Sequence, residues 1–176
     1  MEDYNIWKIL DYLYLGNIIA ANDEKIIIKH NIKTIITIMS DDVKNKYKNI
    51  EYIHFFLYDD PNENIDKYFS LVYNIIEKQK LEGNILIHCH AGISRSWTIV
   101  LWYIMKKFNL PLINAFIYVK NRRFIINPNI GFIKQLQNYE KKIGINTKKN
   151  EKFDDTYCIF LLFSLFFAYS LYMTKN

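Results

Sequence analysis

The chain has 176 residues, 51% of them hydrophobic, with only five glycines and three prolines. It is long enough to bury a real core and too apolar for a disordered chain. The net charge is +5, but twenty lysines stand against three arginines and beside thirty isoleucines. That pattern is a compositional bias, and without a long Lys/Arg run or a base-stacking motif no nucleic-acid partner is expected. Two cysteines, Cys89 and Cys158, exclude a disulfide framework. The acidic, polar start Met1-Glu2-Asp3 shows no secretory signal, and a Cys89 that has to stay reduced to act as a nucleophile is expected in a cytosolic or nuclear environment.

Along the chain, Lys8 to Gly16 is expected to be a strand entering a glycine turn. Asn17 to His30 carries apolar residues at helical spacing, with Asn22-Asp23-Glu24 as a start signal inside it. Ile32 to Met39 is rich in β-branched residues and predicts a buried strand; Glu51 to Leu57 predicts another. Tyr58 to Asn64 is a polar turn, and Asp66 to Lys80 is helical. Asn84 to His88 is the central strand, followed by a loop and a helix from Ser94 to Phe108. Further helices are expected from Leu110-Pro111 to Arg123 and from Asn127-Pro128-Asn129 to Lys142. Strands alternating with helices predict an α/β fold with a central, mostly parallel sheet flanked by helices. A polar linker (144–156) leads to a charge-free segment (157–173), expected to be an apolar C-terminal helix just long enough to anchor in a membrane, with a helix docked on the domain as the alternative. Lysines 141, 142, 148, 149 and 152 precede it and agree with the body lying on the cytoplasmic face of an intracellular membrane.

The richest chemistry lies in His88-Cys89-His90-Ala91-Gly92-Ile93-Ser94-Arg95-Ser96, between that central strand and the helix. A strand, a short loop and a helix N-terminus form a nest of backbone N–H groups that suits a tetrahedral dianion. Cys89 sits at its base. The helix N-terminus, the inward amides and Arg95 all favour the thiolate, which is the nucleophile. The planar fork of Arg95 can hold two phosphoryl oxygens at once. Gly92 lets the backbone approach closely. His90, Ala91, Gly92, Ile93, Ser94 and Arg95 would bind the phosphate. The Ser96 hydroxyl could hydrogen-bond the sulfur and help it leave; Ser94 or Ser96 could equally cap the helix. His88 is expected to order the loop by hydrogen bonds. No cluster with ligand spacing suggests a metal, and the chemistry needs no cofactor.

HCHAGISRS matches the HCxAGxSRS signature of the dual-specificity protein phosphatases, in the cysteine-based protein tyrosine phosphatase superfamily. Asp11 to Gly16 resembles the family's LYLG segment. Ala115 to Arg123 with Ile126-Asn127-Pro128-Asn129 resembles its helix after the loop and its PN turn. The resemblance spans residues 6–143. It implies a phosphatase-type fold and hydrolysis of phosphotyrosine, phosphoserine and phosphothreonine in proteins through a phosphocysteine. It also implies a general acid, placed six residues before the Ile or Leu that opens the next helix; counting from Ile65 gives Asp59, with Asp60 as the alternative. Trp97 departs from the small residue usual in the family, and must either find a slot against the sheet or tilt the loop. Of the variable loop positions, Ile93 adds no charge and His90 adds some only at low pH. That favours phosphoproteins over phosphoinositides, with RNA 5′-triphosphates third. The competing readings are a phosphoinositide phosphatase at a membrane and a catalytically weak phospho-binding module.

Overall fold

Ile6–Leu10 (β1) and Leu13–Gly16 (β2) pair antiparallel. The single strand expected from Lys8 to Gly16 is thus a hairpin: Asp11-Tyr12 forms the turn, and aspartate favours such a bend by bonding locally. The helix expected from Asn17 to His30 is also two elements, Ile18–Asn22 (α1) and Glu24–Lys29 (α2). Asp23 separates them. Its N–H closes α1 on Ala20, while its carboxylate accepts the N–H groups of Lys25 (2.9 Å) and Ile26 (3.3 Å) and caps α2. Then come Ile32–Ile38 (β3), Glu51–Phe55 (β4), a 3-10 turn at Asp66–Tyr68, Phe69–Gln79 (α3) and Asn84–His88 (β5). Arg95–Phe108 (α4), Leu112–Lys120 (α5) and Ile130–Ile143 (α6) complete the order. The computed structural model describes residues 4–42, 46–123 and 125–144, all in the unit Met1–Gly144. The linker beyond Gly144, Cys158 and the expected apolar helix at 157–173 lie outside the described residues.

The sheet order is β1-β2-β5-β3-β4. β2–β5, β5–β3 and β3–β4 are parallel, so the sheet is mixed, with one antiparallel edge. Its strands are apolar nearly throughout because helices cover both faces. Tyr14, Ile32, Ile35 and Leu86 pack with Ala20, Ala21, Ile26 and Ile27 of α1 and α2. The alternate residues Ile85 and Ile87 point to the opposite face, where α4 crosses β2, β3 and β5 and touches α3, α5 and α6. Every residue of α4 from Arg95 to Met105 is buried, as expected of a helix that is apolar all round. Asn109 ends it in the left-handed conformation (φ 51°), with Lys106 and Lys107 in the last turn. β5 thereby ends between β2 and β3, pointing into the N-terminus of α4. In open α/β sheets, ligands bind at such carboxyl ends of strands.

Candidate active site

Cys89 follows β5 directly and is almost fully buried, 1% exposed. The loop after it is held from outside by its carbonyls. The Ile18 N–H donates to the His90 oxygen (3.0 Å), Arg123 Nη2 to the Ala91 oxygen (3.0 Å) and the Asn127 N–H to the Ile93 oxygen (3.2 Å). No peptide here is cis. In a planar trans peptide the following N–H points opposite to the carbonyl, so the N–H groups of Ala91, Gly92 and Ser94 turn away from those partners, into the loop. Gly92 has φ +68°, and a Cβ there would run into the Gly16 carbonyl. The loop therefore lies directly on the end of β2, a fit only glycine allows.

Ser96, in the first turn of α4, donates its hydroxyl to Cys89 Sγ (3.2 Å). His88 Nδ1 faces the Cys89 carbonyl (3.3 Å), which can only accept, so this nitrogen carries the proton. Nε2 then accepts from the Thr37 hydroxyl (2.7 Å) on neighbouring β3. Burial, with His54 adding to it, pushes the His88 pKa down to about 4 against the opposing bond to Cys89. His88 is therefore a neutral pillar under the loop.

The polar turn after β4 reaches the same place. Arg95 Nη1 donates to the Leu57 carbonyl (3.1 Å), and its Nε lies 3.6 Å from Asp59 Oδ2. Asp59 Oδ1 accepts from Ser94 Oγ (2.6 Å) and Asn129 Nδ2 (2.8 Å). Ser94 stands at the N-cap position of α4 but makes no capping bond with its side chain; the hydroxyl is turned to Asp59. Asp60 is turned elsewhere, its carboxylate accepting the Asn62 N–H (2.7 Å) as a turn cap. Of the two candidate acids, Asp59 is the one beside Arg95 and Ser94.

α6 holds this acid-bearing turn. Asn129 Oδ1 caps the helix at the Phe132 N–H (3.0 Å) while its Nδ2 reaches Asp59. Gln135 accepts the N–H groups of Ile65 and Asp66 and donates to the Glu63 carbonyl. At Gly131 a Cβ would collide with the Pro61 backbone. Trp97 is fully buried edge-on to Phe116 of α5, ring centroids 5.1 Å apart. It found a buried slot that includes Phe116, and its indole N–H has no hydrogen-bond partner among the described residues. Sequence reasoning placed no role on Asn129, Gln135, Thr37 or Arg123. The Pro128-Asn129 helix start was the signal for the first; contacts across 30 or more positions left none for the others.

A loop with outward carbonyls, a buried cysteine at its base, an arginine at its end and a carboxylate beside it is laid out to bind phosphate next to a sulfur nucleophile. The family model for the dual specificity phosphatase catalytic domain matches residues 13–142. This chain belongs to that family. Among similar proteins, a dual specificity protein phosphatase from Arabidopsis thaliana is 34% identical over 147 residues, covering 82% of this chain and 74% of that protein. A probable dual specificity phosphatase from Dictyostelium discoideum is 37% identical over 136 residues, 77% of this chain but 34% of the relative. The chain thus spans about a third of that longer protein. The crystal structure of human tyrosine phosphatase-like serine/threonine/tyrosine-interacting protein superposes with a TM-score of 0.75 at 36% identity, covering 80% of this chain and 99% of that one. As a dual specificity phosphatase domain, the chain owes the shape of its phosphate loop to β2, α1, the segment after α5 and the PN turn, all of which touch it.

Proposed function

We propose that the chain hydrolyses phosphate monoesters on phosphotyrosine, phosphoserine and phosphothreonine in proteins through a phosphocysteine. Cys89 Sγ attacks phosphorus in line, and the bond to the leaving oxygen breaks as Asp59 donates its proton to that oxygen. Arg95 and the inward amides hold the equatorial oxygens as charge builds on them. Asp59, then ionised, takes a proton from water as it attacks phosphorus. Sulfur departs as the thiolate, helped by the Ser96 hydroxyl. The observation that carries this reading is the meeting of Cys89, Ser96, Arg95 and Asp59 at the end of β5, from three separate elements.

The test is hydrolysis of p-nitrophenyl phosphate and of phosphopeptides by the full chain in EDTA, beside Cys89→Ser and Asp59→Asn. Turnover is expected to persist in EDTA and to vanish in Cys89→Ser. Asp59→Asn should lose roughly 10²–10⁴-fold on phosphopeptides, and less on the better leaving group. Full activity of Cys89→Ser overturns the mechanism. A folded wild-type chain that binds phosphopeptides without turnover replaces it with a phospho-binding module.

Residues 157–173 support a second part of the proposal, tethering of the domain to the cytoplasmic face of an intracellular membrane. It rests on the uncharged sequence of that segment. Among the described residues no helix is long and apolar enough to cross a membrane. Deleting 157–173 should release the protein from the membrane fraction; unchanged fractionation removes the tether.

A further inference from the structure

Arg123 is a buried cation that the mechanism does not use. It follows α5, is 3% exposed, and puts one donor on the Ala91 carbonyl. Its Nη1 lies so close behind the loop that a Cβ on Gly92 would come within 2.6 Å of it. The guanidinium carbon stacks over the Trp7 ring of β1, 4.0 Å from the centroid. Nε and Nη1 are buried with no hydrogen-bond partner among the described residues. Taking a charged guanidinium out of water is costly, and an apolar side chain of similar length would pack at this buried position without that cost. Burial accordingly lowers the Arg123 pKa to about 10, and the nearby Cys89 charge opposes that fall.

We propose that Arg123 is a positioning residue of the phosphate-binding loop: clamped on Trp7, it fixes the Ala91 peptide so that the Gly92 N–H faces into the loop, and it sets a second buried positive charge behind Cys89. Among the described residues, the charged and titratable groups of the loop and its surroundings are Arg95, Asp59, His88, His90 and Arg123, of which the two arginines are buried cations. Arg95 is bonded to the Leu57 carbonyl and lies beside Asp59, whereas Arg123 is held on the Ala91 carbonyl and the Trp7 ring. The inference rests on the proposed role of Cys89, but its test needs no turnover.

The experiment follows alkylation of Cys89 by iodoacetamide against pH in the full chain, resolved from Cys158 by mass spectrometry of the modified peptides. In Arg123→Met the midpoint of the curve is expected to move up by about one pH unit, the order of effect of one nearby cation. Its kcat on p-nitrophenyl phosphate should fall roughly tenfold to hundredfold through misplacement of the loop. Arg123→Lys should bring the midpoint most of the way back while kcat recovers only in part, since a lysine restores charge without the fork. A folded Arg123→Met with the wild-type midpoint overturns the proposal, as does a lysine variant that alkylates like the methionine one. Should Arg123→Met fail to fold, Trp7→Leu on the edge strand serves instead: a smaller upward shift supports the clamp, and wild-type behaviour overturns it. If wild-type Cys89 alkylates no faster than Cys89 in the denatured chain, the reading of the site fails and this inference with it.

Discussion

Asn129 performs two tasks with one side chain: its oxygen caps α6 and its amide nitrogen holds Asp59. The tasks separate by mutation. Asn129→Asp keeps a cap acceptor but sets a second carboxylate against Asp59; stability should change by less than about 1 kcal/mol, while turnover of phosphopeptides falls tenfold or more. Asn129→Ala should lose about 1 kcal/mol of stability as well. Equal stability losses in chemical denaturation would show that the cap bond accepted by the side-chain oxygen does not stabilise the helix. At Trp97 the indole N–H has no hydrogen-bond partner among the described residues, while the ring is fully buried and packs edge-on against Phe116. Trp97→Ala should cost about 3–5 kcal/mol by opening a cavity, checked by the shift of the denaturation midpoint.

At the scale of elements, two helices divide the work. The N-terminus of α4 supplies Ser96 to the sulfur and Arg95 to the turn that bears Asp59, while the N-terminus of α6 carries that turn through Asn129, Gly131 and Gln135. Gly131→Ala forces a Cβ into the Pro61 backbone, so the turn has to move. The expected result is a loss of kcat on phosphopeptides that exceeds the loss on p-nitrophenyl phosphate, because only the poorer leaving group depends strongly on the acid. Equal losses on both would mean that the turn moves without disturbing Asp59, or that the damage is general.

For the whole molecule, two shifted titrations contribute to the response to acid, one buried at His88 and one half-buried at Glu77. His88 is held neutral, with its pKa near 4 instead of 6.5. The unfolded chain therefore binds this proton first as pH falls, and stability present above about 6.5 is lost on the way to 4. Glu77 acts lower down. Burial works against its ionisation, but the bonds from Lys80, Tyr103 and Lys107 prevail and hold it at about 2 instead of 4.5. Its contribution is complete above about 4.5 and lost toward 2. Both run the same way, so the unfolding free energy should drop by on the order of 2–3 kcal/mol between pH 7 and pH 4.5. His88→Asn should flatten that window and leave the fall below pH 4.5. A stability curve that stays level from pH 7 to 4.5 would contradict the assignment.

What the sequence determined is what local chemistry fixes. The spacing from Cys89 to Arg95 on a strand–loop–helix, the mostly parallel α/β pattern and the choice of Asp59 and Asp60 as candidate acids were all legible, because each rests on residues a few positions apart. The hairpin at Asp11-Tyr12 and the break at Asp23 were blurred, since a single turn residue there outweighs an otherwise continuous apolar pattern. The resemblance already preferred Asp59 by its count from Ile65; what only the tertiary structure shows is the partners of the two neighbouring carboxylates, Ser94 and Asn129 for Asp59 and its own turn for Asp60. The same holds for Arg123 and Trp7, which lie more than a hundred positions apart and become a pair only when β1 and the end of α5 pack behind the loop. Propensity and spacing act through the chain; partners that meet across the core are chosen by packing, which no local window contains.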